Sequence, residues 1–398
     1  MKVIISPSRL SGTVSAVSSK SDAHRKIIAA VLADKSTKIN INNFSDDIYA
    51  TLECIENLGG SIKKDETGVL ITPIFANQES CVLNFRESGS TARFLLPVAA
   101  AICEKGSFSG KGRLPERPFE ELTTQLRLHG VTVDSDRLPI TTCGLLKSGE
   151  YCISGSISSQ YLTGLLFALP LLCDESRIVL TSPLNSSAYV DMTLDTLAGF
   201  GVKIDIKNNI YTIKPQKYIS PGEITAEGDW SSAAFWAVAD KICGGVKIDG
   251  MNINSRQGDK KIISLLDETD IDASQIPDLV PILSVLAASR TGKTVIRGAA
   301  RLRLKESDRL LAMTECIKSL GGDAEETEDG MIINGTGSLR GGKVCGFGDH
   351  RVVMSAAIAS CICKDKVEIT GAEAVKKSYP SFFEDFKRLG GVFDVSDR

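Results

Sequence analysis

Two hydrophobic patterns alternate along the chain. Stretches such as VLITPI at 69–74 and IYTIKP at 210–215 put apolar residues at alternate positions, the period of a half-buried strand. Between such stretches lie amphipathic segments with helical spacing that end on a Leu-Gly-like step and run into another short strand. The phrase recurs as TLECIENLGGSI, LTTQLRLHGVTV, TLDTLAGFGVKI, IISLLDETDIDA, MTECIKSLGGDA and FFEDFKRLGGVF. Gly59, Gly130, Gly201, Gly321 and Gly390 hold equivalent places at near-equal spacing. Glycine suits the place because the residue that ends a helix often takes the left-handed conformation, which most side chains resist. The fourth copy, near Asp270, lacks the glycines and is the weakest. Each copy predicts a unit of strands and two helices. Three units per domain give an α/β (α+β) chain of two similar domains with a sixfold internal repeat.

Size and composition agree with that picture. A chain of 398 residues suits two domains. Hydrophobic residues at 42% and charged residues at 24% are those of an ordinary globular protein. The net charge of −3 gives no reason to expect a nucleic-acid or membrane partner, so anion binding must come from local clusters. The start, MKVIISPSRLSGTV, lacks a signal-peptide core, and LTGLLFALPLL from Leu162 is too short to span a bilayer, so a cytoplasmic protein is expected. The 11 cysteines form no disulfide framework and read as reduced, buried thiols.

Cations gather where helices are expected to begin. Lys20 and Arg25 flank the start of RKIIAAVLA; Gly89, Ser90 and Arg93 lie in ESGSTARFLL; Arg117 precedes Pro118, which suits a first helical turn. In RLRLKESDRLLAM, Arg301, Arg303, Lys305 and Arg309 crowd ahead of an apolar helix. Arg351 follows Asp349 and His350, and Lys377 precedes SYPSFFEDF. A helix dipole disfavours cations at its start, but the free amides there bind anions, and Arg or Lys strengthens such a site. Repeated over several helices, the pattern points to a small, multiply anionic ligand. Two nucleotide-binding patterns fail: SRTGKTV around Lys293 lacks the first glycine of a P-loop, and GSFSGKGR around Lys111 has the wrong spacing. Neither ATP nor NAD is expected.

Among the acids, Asp278 after Pro277 at a helix start reads as an ionised base, with Glu306 as the complementary acid whose pKa Lys305 and Arg309 should lower. Asp349 and Asp229 read as helix N-caps. With only three histidines, His24, His129 and His350, in distant segments, a metal centre is not expected. Ser158, Ser159 and Gln160 stand in a row as uncharged phosphate or hydroxyl partners.

SKSDAHR, SGSTAR, LPERP, SSQYLT, EGDWSSA, IPD, KESDR, GDHR and KSYP, in this order along nearly the whole chain, closely resemble the enolpyruvyl transferase family that acts on shikimate 3-phosphate. The resemblance implies two domains of three βαβαββ-type units each, an inside-out α/β barrel, with helix N-termini facing an interdomain cleft. Its domain limits would be 1–12 with 228–398, and 13–227. It implies transfer of the enolpyruvyl group of phosphoenolpyruvate to the 5-hydroxyl of shikimate 3-phosphate by addition and elimination, with no metal or organic cofactor, in a monomer. By matching motif position, Lys20, Ser21, Arg25, Ser158, Ser159, Gln160, Ser186, Asp278, Arg301 and Lys305 would serve shikimate 3-phosphate. Lys20, Gly89, Arg117, Gln160, Arg309, His350, Arg351 and Lys377 would serve phosphoenolpyruvate. Asp278, Glu306 and Lys20 would be catalytic.

Three departures from the family pattern stand out. Glu87 precedes the SGSTAR motif where Asn is common, and is expected to turn away or pair with Arg86 or Arg93. Arg301 takes the place of a frequent Asn. Phe94 replaces Pro or Leu. The rival readings are the sister transferase acting on UDP-N-acetylglucosamine and a non-catalytic binder of small phosphorylated acids. The loop GKGRLPERP lacks the cysteine usual in the sister family, and a binder does not need both Asp278 and Glu306.

Overall fold

The computed structural model describes residues 1–75 and 78–396. The chain forms two compact units, a discontinuous one of Met1–Ser19 with Glu227–Arg398 and a continuous one of Lys20–Ala226. Strand Gly12–Ser15 pairs in parallel with Val246–Asp249, so the first crossing falls after Ser19 and not near residue 12.

One sheet pattern recurs. In the continuous unit, Gln78–Asn84 runs parallel to Cys103–Ser109, which pairs antiparallel with Ile140–Cys143, and Thr132–Val133 closes the outer edge. Helices Gly89–Ile102 and Glu120–Leu128 connect the strands. The first strand therefore lies beside the second, the second beside the fourth, and the fourth beside the third. The sheets that begin at Glu150–Ile153 and Asp270–Asp272 repeat this order. Two further sheets are completed by distant chain: Lys2–Ser6 is the fourth strand beside Val367–Thr370, and Glu223–Thr225 is the first strand beside Thr37–Asn40.

The copy near Asp270 departs. It keeps Gly12–Ser15, helix Trp230–Cys243 and Val246–Asp249, but its second helix is only Ile262–Leu265 and the chain then enters Asp270–Asp272, the first strand of the next sheet. The hairpin found in the other five copies is missing among the described residues. This is the copy whose sequence phrase is weakest.

The five repeat glycines adopt positive φ, from 78° at Gly201 to 100° at Gly390, as the end of a helix requires. Each unit has its own apolar core. Helix Val280–Ala288 is buried along its whole length in one, and helix Gly89–Ile102 is nearly so in the other. Gly164 lets helix Ser159–Ala168 approach helix Gly89–Ile102 on backbone, since a Cβ there would collide with the Arg93 carbonyl oxygen. That crossing sets Gln160 beside Arg93.

Lys293 lies inside strand Thr291–Arg297, paired with Met331–Thr336, so its glycine-lysine pair is not a phosphate loop. All eleven cysteines are free thiols, yet Cys143, Cys152, Cys173 and Cys345 are exposed, against the expectation of buried ones. No helix among the described residues is long and apolar enough to cross a membrane.

Candidate active site

In the continuous unit, Lys20 opens helix Lys20–Val31, and its Nζ lies 2.7 Å from Asp47 Oδ2. The helix begins earlier than the apolar run suggests, so Arg25 sits one turn inside it. Arg25 is 2% exposed and donates from Nη1 to the Ser21 carbonyl (2.7 Å), from Nη2 to the Tyr189 carbonyl (2.8 Å) and from Nε to Thr193 Oγ1 (2.9 Å). The guanidinium also lies 5.0 Å from the centre of the Phe94 ring, which gives that residue a packing role. Burial lowers the Arg25 pKa to about 10, against the pull of Asp22 and Tyr189. Tyr189 belongs to helix Ser187–Gly199, and the residue before it, Ser186, is buried with a left-handed φ of 55°. Ser21, Arg25 and Ser186 therefore share one neighbourhood. A non-glycine residue in that conformation is often tied to a ligand site.

A second group forms at helix Gly89–Ile102, whose N-cap Ser88 accepts from the Thr91 amide. A Cβ on Gly89 would stand 2.6 Å from Arg117 Nη1 and 2.8 Å from Arg93 Nη1, so two guanidinium groups converge on the helix start. Arg93 Nη1 donates to Gln160 Oε1 (3.2 Å), and Gln160 Nε2 donates to Ser90 Oγ (3.0 Å). Ser158 caps the next helix by accepting from the Gln160 amide, and Ser159 is its buried first residue.

Arg117 is not at a helix start. It follows the 3-10 turn Leu114–Glu116 in an extended conformation, and the helix begins at Glu120. Pro118 is the physical reason, because the residue before a proline is kept out of the helical region. Arg86 pairs with Glu53, while Glu87 Oε1 lies 2.5 Å from where a Cβ on Gly112 would stand. The Glu87 carboxylate thus faces the 110–113 loop, while Arg86, one of the alternatives expected for it, pairs with Glu53.

The discontinuous unit holds the acids. Arg309 opens helix Arg309–Ser319 behind N-cap Asp308 and is 1% exposed. It donates from Nη1 to Asp278 Oδ1 (2.7 Å), from Nη2 to Glu306 Oε2 (2.8 Å) and from Nε to Asp349 Oδ2 (2.8 Å). Burial alone would lower its pKa, but Asp349, Glu306 and Asp278 push it up. Asp278 lies in the 3-10 turn Pro277–Leu279 that leads into helix Val280–Ala288. It also accepts from Arg351 Nη2 (3.1 Å), and Lys305 Nζ stands 3.8 Å from its Oδ1. Burial would raise the Asp278 pKa, yet Arg351, Lys305 and Arg309 together hold it well below the usual carboxylate range despite Glu306.

Asp349 caps helix His350–Ala359 by accepting from the Arg351 amide, as expected, and also anchors Arg309, which the sequence reading did not foresee. Asp229 is the N-cap of helix Trp230–Cys243, also as expected. His350 is buried, with Nδ1 3.8 Å from Asp349 Oδ1.

Further cations depart from the helix-start pattern. Lys377 ends the 3-10 turn Ala372–Lys377, and its Nζ donates to the Gly348 carbonyl (2.8 Å). Arg301 lies in the 3-10 turn Ala300–Leu304 and donates to the Ser274 carbonyl (2.7 Å). Arg303 pairs with Asp308 and Glu326. Of the cations in RLRLKESDRLLAM, only Arg309 belongs to the helix, and three carboxylates answer its charge.

Asp259 was missed altogether. It is 2% exposed in the 3-10 turn Gly258–Lys261 and accepts from Ser231 Oγ through Oδ2, while its buried Oδ1 has no hydrogen-bond partner. Burial, then repulsion from Asp278, raises its pKa to about 6, with Arg351 opposing. A lone Asp in a polar stretch, QGDKK, carries no burial signal in sequence.

Comparison with known proteins accords with this arrangement. Two solved structures of EPSP synthase from Acinetobacter baumannii superpose with TM-scores of 0.82 and 0.81 at 25% identity, covering 100% of both chains. The repeated α/β units are thus the scaffold of an enolpyruvyl transferase. The family model for EPSP synthase (3-phosphoshikimate 1-carboxyvinyltransferase) matches residues 4–270 and 264–386. A curated 3-phosphoshikimate 1-carboxyvinyltransferase from Clostridium perfringens (strain SM101 / Type A) is 41% identical over 98% of this chain and 99% of its own length; one from Clostridium kluyveri is 40% identical over 98% of each. The chain belongs to the EPSP synthase family and is a transferase. The Clostridium perfringens alignment runs over 421 positions against 398 residues here, so that relative carries residues this chain lacks.

Proposed function

We propose that the chain performs its family's reaction, moving the enolpyruvyl group of phosphoenolpyruvate to the 5-hydroxyl of shikimate 3-phosphate and releasing phosphate, with the clusters described above as its machinery. The observation that carries this reading is Arg309 holding Asp278 and Glu306 on adjacent nitrogens. A simple anion binder gains nothing from two carboxylates beside its cations.

In the addition step the 5-hydroxyl oxygen bonds to C2 of phosphoenolpyruvate, Asp278 takes the hydroxyl proton, and Glu306 delivers a proton to C3. Elimination reverses the proton movement at C3 and breaks the C2–O bond to phosphate. Asp278 is ionised before substrate arrives, but three cations make it a weak base. Anionic substrate on Lys305 and Arg351 offsets those cations, which raises the proton affinity of Asp278 when the reaction needs it.

Ser21, Arg25, Ser158, Ser159, Gln160, Ser186 and Lys305 serve shikimate 3-phosphate, with Arg301 beside the Ser274 carbonyl at the edge of that site. Gly89, with Arg117 and Gln160, holds an anionic end of phosphoenolpyruvate; Arg309, Arg351, His350 and Lys377 serve the same substrate. Lys20 adds a positive charge that both substrates need. Fixed cations and amides stabilise charge as it develops in the transition state.

Asp278→Ala and Glu306→Gln test the reading. Each should lower kcat by about a hundredfold or more while substrate affinity changes far less. Full turnover in both variants would overturn it.

A further inference from the structure

Strand Val246–Asp249 is the second strand of its unit, the position that pairs with two neighbours in the other five sheets. Here Gly12–Ser15 lies along one edge, and no strand lies along the other among the described residues. The Gly245 and Asp249 carbonyls accept from the Gly12 and Ala16 amides at 2.9 and 2.8 Å. Backbone groups alternate sides along a strand, so those of Val246 and Ile248 belong to the open edge. Consistent with this, the Val246 amide donates to Asp240 Oδ1 (3.0 Å), outside the ladder to Gly12–Ser15. Ile248 presents both its N–H and its C=O there.

We propose that a second copy of this chain fills the open position, the two Val246–Asp249 strands pairing antiparallel about a two-fold axis at Ile248. Two independent features select that register. Backbone alternation makes Ile248 the residue able to exchange both hydrogen bonds with the partner's Ile248. Charge then sets Lys247 opposite the partner's Asp249, and Asp249 opposite the partner's Lys247. A shift of one residue either way would centre the axis on Lys247 or Asp249 and place like charges face to face.

Lys247 and Asp249 are exposed, and Ile248 is half-buried against the apolar core. A two-fold axis makes one edge its own complement, and the result is a four-stranded sheet, the number the other five copies reach. Ile253 and Ile263, 75% and 55% exposed on the segments after the strand, add apolar surface nearby in sequence. Four residues of edge form a small contact, so the dimer is reversible and depends on concentration, in place of the monomer expected from the resemblance.

Sedimentation velocity of the full chain across a concentration series tests this. The unaltered chain should shift from monomer to dimer as concentration rises. Lys247→Glu alone and Asp249→Lys alone each create two like-charge pairs and should weaken association about tenfold, whereas combining them restores opposite charges and association. Circular dichroism and turnover, unchanged in all three variants, would show that the fold is intact. A chain that stays monomeric throughout, single variants that associate like the parent, or a double variant as weak as the singles would each overturn the proposal.

Discussion

Arg309 Nη1 lies 2.7 Å from Asp278 Oδ1. The arginine is 1% exposed and also holds Glu306 and Asp349, so one buried cation bridges three carboxylates and fixes the geometry of the acid–base pair. Arg309→Ala would leave those carboxylates beside one another without their shared partner. Breaking a buried ion pair costs about 3–5 kcal/mol, and chemical denaturation should show a loss of at least that order. Arg309→Lys keeps the charge but cannot reach three partners in a plane, so it should recover part of the stability and little of the turnover.

Gly89 is defined by what surrounds it. A methyl group there would press on Arg117 and Arg93 at 2.6 and 2.8 Å. Gly89→Ala should displace the two guanidinium groups and raise the KM for phosphoenolpyruvate by about tenfold to a hundredfold. Calorimetric affinity for shikimate 3-phosphate alone should stay unchanged. Equal loss for both substrates would contradict the division of labour between Gly89 and Arg25.

Lys305 acts on the substrate and on Asp278, 3.8 Å away. Lys305→Ala should weaken shikimate 3-phosphate binding by about 1.5–3 kcal/mol, the range of a charge-assisted hydrogen bond. It should also raise the pKa of Asp278 in the unliganded protein, because one of three cations holding it down is gone. Calorimetry checks the first effect and carboxylate NMR titration the second.

Asp259 carries a pH signature. Its folded pKa of about 6 is raised above the value of about 3.9 for a free aspartate. The folded state therefore binds the extra proton more readily. The contribution of Asp259 to stability is fully present below about pH 4 and is lost as pH rises through about 6. Asp259→Asn removes this dependence while keeping an acceptor for Ser231. Relative to the parent it should gain about 2–3 kcal/mol between pH 4 and pH 8 in denaturation experiments. A parallel pair of stability curves would contradict the assignment.

Much of this architecture is legible in the chain because it rests on local rules. The repeat glycines announce helix ends, and Asp229 and Asp349 announce caps, since each needs only its own neighbours. Cation placement was less legible. Arg117 and Lys377 look like helix-start residues in sequence, but 3-10 turns and Pro118 put them elsewhere. The triple role of Arg309 depends on Asp278 and Asp349, which come from separate elements and meet only in the folded core. Asp259 had no signal at all, because burial of a single carboxylate is a tertiary fact.

The most direct test is phosphate release by the purified chain given phosphoenolpyruvate with either shikimate 3-phosphate or UDP-N-acetylglucosamine. Sustained turnover is expected with shikimate 3-phosphate alone, reduced by about a hundredfold or more in Asp278→Ala and Glu306→Gln. Turnover with the sugar nucleotide and none with shikimate 3-phosphate would contradict it.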